Sequence, residues 1–339
     1  MESAGLAGPR PGAPEKQHYA WAGMPTGQDV AVELGLALVV ATEAAALACA
    51  RLIGRGDQEK VKDAGATAML RALEELPLRG RIVLGPWGEG VLSQGTLVGS
   101  GSGPEVDLGV YPVEGASLVA RGFPHALSML VAVPPGSFPA LPAVAYAEKI
   151  AVGPLARGAI EMDDTVADNL RRIAFARDAR VQDLVVAVLD RPRHKDLVDE
   201  VRATGARIVN LEEGDIAAPL MAAADDTGVD VMMGIGGLQE AVMAASALRC
   251  QGGDLVARLW PRNDEEKHLA GAEAQRVYGV GDLTPNEVTV AITGISGGPL
   301  LKPVWFGSAW AETASLVMSS RLATVRRLTT RHHRVGAGA

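Results

Sequence analysis

The chain has 339 residues, 48% of them hydrophobic, with a net charge of −8 and no long basic run. That length buries a large core, in two domains or one large α/β unit, and the acidic balance argues against nucleic acid as a partner. Two cysteines, Cys49 and Cys250, do not make a disulfide framework and suit a reducing cytoplasm, and 4% aromatic residues offer little ring-stacking surface. Residues 1–27, with Pro9, Pro11, Pro14 and Pro25, read as a disordered leader without the basic start and apolar run of a secretory signal. Asp29 to about Ile53 reads as one Ala-rich helix capped by Asp29. Its apolar stretch from Leu34 to Ala50 is broken by Glu43, so no bilayer span is expected. A second helix is expected from Gln58 to Glu75, then strands at Arg81–Leu84, Leu97–Val98, Val106–Val110 and Ser128–Val133. Such bunching suggests a mixed or antiparallel sheet.

From Thr165 the pattern becomes alternating. Helices at Val166–Arg177, His194–Thr204, Ile216–Ala224 and Leu238–Leu248 interleave with strands at Leu184–Leu189, Arg207–Leu211 and Val229–Met233. This alternation predicts a parallel sheet with right-handed crossovers. The organisation expected is a leader (1–27), an N-terminal α+β domain with metal-site loops (28–160), a C-terminal α/β domain with phosphate-binding loops (161–327) and a loose tail (328–339).

Ligands of open α/β sheets sit beyond the carboxyl ends of the strands, so the loops there carry the candidate chemistry. Arg191-Pro192-Arg193-His194 combines planar guanidinium donors with a helix start, which suits a phosphate, although an ordinary charged turn has the same composition. Glu212-Glu213-Gly214-Asp215 could accept bonds from sugar hydroxyls or cap the next helix, and capping is the plainer reading. Gly234-Ile235-Gly236-Gly237 lacks the marks of a P-loop or a dinucleotide fingerprint and reads as a tight structural turn before Glu240. Val106 to Ala116 reads as a buried strand running into a tight turn that carries Glu114, a carboxylate that needs a metal, an Arg or solvent as partner.

The stretch Val106-Asp107-Leu108-Gly109-Val110-Tyr111-Pro112-Val113-Glu114-Gly115-Ala116 resembles the signature of metal-dependent sugar phosphatases, in which a hydrophobic strand precedes Asp-Pro-Ile-Glu-Gly-Thr. In order along the chain, further matching pieces are Thr42-Glu43-Ala44-Ala45, Gly54-Arg55-Gly56-Asp57, Tyr146-Ala147-Glu148-Lys149-Ile150-Ala151-Val152-Gly153-Pro154, Ala167-Asp168-Asn169-Leu170-Arg171, Arg191-Pro192-Arg193-His194, Glu213-Gly214-Asp215, Asp230 to Gly237 and Thr293-Gly294-Ile295. Together they make the chain similar to class II fructose-1,6-bisphosphatases, from about Ala31 to Arg327. The resemblance implies a layered α/β/α/β/α sandwich, divalent Mg or Mn, a phosphosugar substrate and a homodimer or homotetramer.

It also assigns residues. Gly115, Ala116, Tyr146, Arg191, Arg193, His194, Glu213, Asp215 and Gly237 match positions around the sugar bisphosphate, with Glu213 in place of the usual Asp. Glu114 and Glu240 match metal carboxylates. The other metal positions depart from the family: Lys62 stands at one, with Asp63 a residue late, Pro86 stands at another with Glu89 nearby, and Tyr111 and Ala116 replace the signature Asp and Thr. The neutral Tyr111 phenol is a poor ligand for hard cations, which prefer carboxylate oxygen, and Ala116 lacks a hydroxyl that could orient water. The reading is therefore a sugar-bisphosphate phosphatase weakened or altered in activity. The alternatives are a non-hydrolytic phosphosugar-binding protein, and repurposed chemistry with Tyr111 as acid or base beside Glu114.

Overall fold

A computed structural model of the chain describes residues 28–85 and 90–333. The first half runs α1 (Gln28–Ala50), α2 (Gln58–Glu75), β1 (Arg79–Leu84), β2 (Leu97–Val98), β3 (Glu105–Glu114), α3 (Ala116–Arg121), β4 (Leu127–Val133) and β5 (Tyr146–Val152). Then come α4 (Val166–Ala176), β6 (Val185–Leu189), α5 (Lys195–Ala203), β7 (Arg207–Leu211), α6 (Ala217–Ala223), β8 (Val231–Gly237), α7 (Leu238–Gln251) and β9 (Asp254–Leu259). The chain continues through α8 (Asp264–Ala270), β10 (Val277–Gly279), α9 (Val280–Leu283), β11 (Thr289–Gly294), β12 (Trp305–Phe306), β13 (Trp310–Ser319) and β14 (Thr324–His333).

Two mixed sheets result. The first has the order β12-β13-β11-β4-β3-β1-β2, with β14 paired to β13; the second has the order β10-β9-β5-β8-β6-β7. Helices α1 and α2 cover the outer face of the first sheet through Leu38, Ala41, Met69 and Leu73 against Ile82, Leu108, Leu130 and Val317. Helices α4 and α5 cover the outer face of the second through Leu170, Ile173 and Val201 against Val186, Val188 and Met233. Between the sheets lie α6 and α7, packed on Met129, Val131, Ile292 and Leu316 on one side and on Ala151, Ala187, Met232 and Leu255 on the other. The layers are α/β/α/β/α, the sandwich the resemblance implied.

The middle layer explains its own sequence. Helix α7 is buried nearly all round, from Leu238 through Ala241, Ala244, Ala245 and Ala247 to Leu248. A helix with sheets on two faces needs apolar residues all round, and alanines let both sheets approach. Helix α1 is long and apolar enough to cross a bilayer by length and composition, with a mean hydropathy of 1.8 over Val32–Ala50, yet half of that stretch is buried inside the molecule.

Several expectations change. The alternating half does not make an all-parallel sheet: β7, β6 and β8 run parallel, whereas β5, β9 and β10 join antiparallel. Nor does sheet membership follow the expected division at 160/161, because β5 lies in the second sheet and β11 to β14 return to the first. Residues 328–333 are not a loose tail. They finish β14, which pairs with β13 along ten residues, from Ser319↔Thr324 to Trp310↔His333. The leader 1–27, Pro86 to Glu89 and the last residues, 334–339, lie outside the described residues.

Candidate functional site

A cavity of about 640 Å³ opens where β3 meets α3 and where β6, β7, β8 and β9 end. Strand β3 runs on through Tyr111 to Glu114, so the expected turn shrinks to Gly115, whose φ of 82° is the left-handed conformation that glycine adopts at no steric cost. The glycines from 234 to 237 are likewise not a turn but the end of β8, paired to β5 with Gly237 opposite Tyr146. They are small for a reason: a Cβ on Gly236 would stand 2.1 Å from Asp215 Oδ2, and one on Gly237 would stand 1.7 Å from Glu240 Oε2. Both carboxylates occupy the space a side chain would take on this backbone.

Three acids and a phenol form the deep wall, with the fully buried Lys149 behind them. Glu114 is buried, and its carboxyl accepts the backbone N–H groups of Ile216 and of Ala217, the latter at 3.1 Å. Burial pushes its pKa up to about 8 against those two bonds, helped by the charges of Asp215 and Glu240. Asp215 accepts the Gly237 N–H and sits 2.8 Å from the Lys149 ammonium, which also donates to Gly237 O at 3.1 Å. Burial, chiefly, and the Asp215 charge raise Glu240, while Lys149 and the Tyr111 hydroxyl act the other way. Tyr111 itself is raised well above 10 by burial and by Glu240, so the phenol holds its proton and is no base at neutral pH.

The rim is cationic. Arg191, Arg193, Arg262 and Lys62 line the mouth with Tyr146 between them. The guanidinium carbons of Arg193 and Arg262 lie 5.1 and 5.3 Å from the Tyr146 ring centre, and Trp260 meets that ring edge-on. Arg193 is braced by Ile235 O at 2.8 Å, and Arg262 by a forked pair to the buried Glu266. Planar donors fixed in this way suit a phosphate. Glu213 lines the same cavity and accepts from the Ser117 hydroxyl.

The cavity thus gathers Tyr111, Glu114, Gly115, Ala116, Tyr146, Arg191, Arg193, Glu213, Asp215, Gly237 and Glu240. Two expected residues fall away from it. His194 is buried: Nδ1 meets Leu189 O at 2.7 Å and Nε2 accepts the Ile235 N–H at 2.8 Å. Both nitrogens are used by the backbone, so His194 is a neutral strut joining β6 to β8 rather than a substrate contact. Asp63 is exposed on α2 outside the cavity lining, while Lys62, about 100° round the helix, faces the cavity and pairs with Glu59. Glu89 lies outside the described residues. Sequence reasoning missed Arg262 and Lys149. The first had a signal, since Trp260-Pro261-Arg262 after β9 repeats the Pro-Arg pattern of Arg191-Pro192-Arg193 after β6. The second follows Glu148 in β5, and only its burial sets it apart from an ordinary charged pair.

From residue 32 to residue 332 the chain matches the family described as bacterial fructose-1,6-bisphosphatase, glpX-encoded. The chain belongs to the class II fructose-1,6-bisphosphatase family. Among its curated relatives, the fructose-1,6-bisphosphatase 1 class 2 of Escherichia coli K12 is 34% identical over 324 residues, covering 89% of this chain and 95% of the relative. The fructose-1,6-bisphosphatases class 2 of Escherichia coli O6:H1 and of Shigella flexneri match to the same extent. The family is generally metal-dependent, so the donor set decides whether Mg or Mn fits here. Among the described residues no three acidic, histidine or cysteine side chains group as metal ligands. Glu114 gives both oxygens to backbone N–H groups, Asp215 is paired with Lys149, Tyr111 contributes a neutral phenol, and a lysine stands at the pocket wall on α2. The described residues do not fit a divalent pair.

Proposed function

We propose that the chain is a sugar-bisphosphate-binding member of its family whose phosphatase activity is strongly weakened. The names of the relatives suggest fructose 1,6-bisphosphate as the ligand class. The rim supports a grip on the non-reacting phosphate by Arg191, Arg193 and Arg262, with Tyr146 as the platform between the last two. Glu213 and Asp215 are positioned to accept sugar hydroxyls. The observation that carries the reading is that the two best-aligned acids are already neutralised inside the protein: Glu114 accepts two backbone N–H groups, and burial favours the protonated form of Glu240 beside Tyr111. A bisphosphate bound here meets positive charge at the mouth and neutralised acid at the base. Phosphate release from fructose 1,6-bisphosphate, measured with Mn or Mg beside the Escherichia coli K12 relative, is expected to be at least about a hundredfold slower. Turnover equal to the relative's would sink the reading.

A second reading, a binding protein without hydrolysis, is favoured by the Glu114 carboxyl, which stays largely protonated at neutral pH. It predicts no phosphate release above background together with thermal stabilisation by the sugar bisphosphate in chelator. Chemistry at Tyr111 as a base is disfavoured by its raised pKa. By family likeness we further propose a homodimer or homotetramer, which light scattering would test.

A further inference from the structure

We propose that Lys62 selects sugar bisphosphates over monophosphates in this pocket, by binding the phosphate at the end of the sugar away from the arginines. The proposal rests on the phosphosugar reading above and deepens it. Four cations line the cavity, and they reach it from two different halves of the sandwich. Arg191 and Arg193 follow β6 and Arg262 follows β9, both strands of the second sheet, and Arg193 and Arg262 converge on the Tyr146 ring of β5. Lys62 comes from α2, which packs on the first sheet through Met69 and Leu73. One turn after Lys62, a Cβ on Gly65 would stand 3.5 Å from Pro112 O, so this part of α2 runs against β3 just before Glu114. Among the described residues, Lys62 is the one cation that the first sheet's half brings to the lining. A sugar with one phosphate is served by the arginines alone. A sugar with a phosphate at each end carries its second charge toward the side that holds Glu114, where like charge repels it unless a cation answers it. The Lys62 ammonium can do so. It donates to Glu59 Oε1 at 2.8 Å, but the two side chains are 48% and 77% exposed, and an ion pair in that setting holds weakly. An ammonium carries three donors on a flexible stem, so two remain for a phosphate. Gln58, one turn earlier on the same face of α2, lines the cavity as well and adds a neutral donor. Lys62 departs from the family's pattern rather than belonging to it, so this selectivity is the chain's own.

A lysine that only braced α2 through Glu59 would not distinguish one ligand from another, whereas a phosphate contact does. Calorimetric titration of fructose 1,6-bisphosphate and of fructose 6-phosphate into the full chain, in chelator, separates the two. Lys62→Met keeps the stem and a good helix former while removing the charge. It is expected to weaken the bisphosphate at least about tenfold and to leave the monophosphate within about twofold of the wild type. Glu59→Gln releases the ammonium from its pair and should bind the bisphosphate as well as the wild type or better. Arg193→Ala, on the other side of the cavity, should weaken both ligands. An unchanged bisphosphate affinity in Lys62→Met, or a loss shared equally by the two ligands, would overturn the proposal, as would a loss in Glu59→Gln equal to that in Lys62→Met. Failure of the underlying reading looks different: the wild type then binds neither ligand, and the proposal falls with it. Where the wild type binds both and Lys62→Met behaves identically, the phosphosugar reading stands and only the role of Lys62 is refuted.

Discussion

Glu114→Gln exposes the electrostatics of the pocket through stability rather than activity. The folded protein raises the Glu114 carboxyl from 4.5 to about 8, so folding favours the protonated acid. The stability this contributes is complete below pH 4.5 and is lost as pH rises toward 8, because over that range the folded state holds a proton that the unfolded state has released. About 3.5 pH units at about 1.4 kcal/mol each give a loss of about 5 kcal/mol from this group across that interval. Glutamine does not titrate, so the variant lacks this slope. It also lacks one acceptor: an amide nitrogen facing Ile216 N–H or Ala217 N–H leaves a buried donor unpaired, at about 1–3 kcal/mol. The variant is therefore expected to be less stable than the wild type by about 1–3 kcal/mol near pH 4.5, to match it near pH 6, and to exceed it by about 2–4 kcal/mol at pH 8. Urea unfolding midpoints followed by tryptophan fluorescence across pH 4.5–8 measure the difference, and the other titrating groups cancel in it. Parallel curves, with a constant gap between the two proteins, would refute the reasoning.

Other consequences follow from the same geometry. Gly237→Ala drives a Cβ into the Glu240 carboxylate, and should cost about 1–3 kcal/mol of stability and weaken fructose 1,6-bisphosphate binding at least tenfold by calorimetry. His194→Ala leaves Leu189 O and Ile235 N–H unpaired in the interior, at about 1–3 kcal/mol each, and should lower the melting temperature with Arg193 still able to contact the ligand. Because burial lowers the His194 pKa, the wild type gains stability above the ordinary 6.5 and loses it as pH falls, a slope that His194→Ala should remove. Arg262→Ala should weaken binding about tenfold and flatten its salt dependence, with a modest loss of stability because the buried Glu266 carboxylate loses its guanidinium partner.

Much of this arrangement was written locally. The helix from Gln58 to Glu75 carries its own Asp57 cap, the helix from Lys195 to Ala203 and the strand from Arg207 to Leu211 carry their own patterns, and the structure keeps all three nearly to the residue. The candidate phosphate loop was legible because arginines and a proline after a strand are a local signal. What escaped was non-local. Strand β9 is a short alternating run between Gly253 and Trp260, and with it unrecognised, Arg262 had no place beside Tyr146. Lys149 acquires its meaning only from Asp215, brought to it by the pairing of β5 with β8. His194 looked like a ligand because it follows two arginines, yet the single 3-10 turn from Pro192 tucks its ring beneath the loop. Strand β14 looked loose because its exposed face alternates Arg327, Thr329 and Arg331 with residues only half-buried, and the edge of a sheet needs no continuous apolar stripe.

Calorimetric titration of fructose 1,6-bisphosphate into the full chain, stripped of divalent ions and held in chelator, tests the central claim most directly. A clamp of arginines over internally neutralised acids predicts saturable one-to-one binding whose affinity changes less than about threefold when Mn2+ replaces the chelator. Binding that requires Mn2+ or Mg2+ would contradict it.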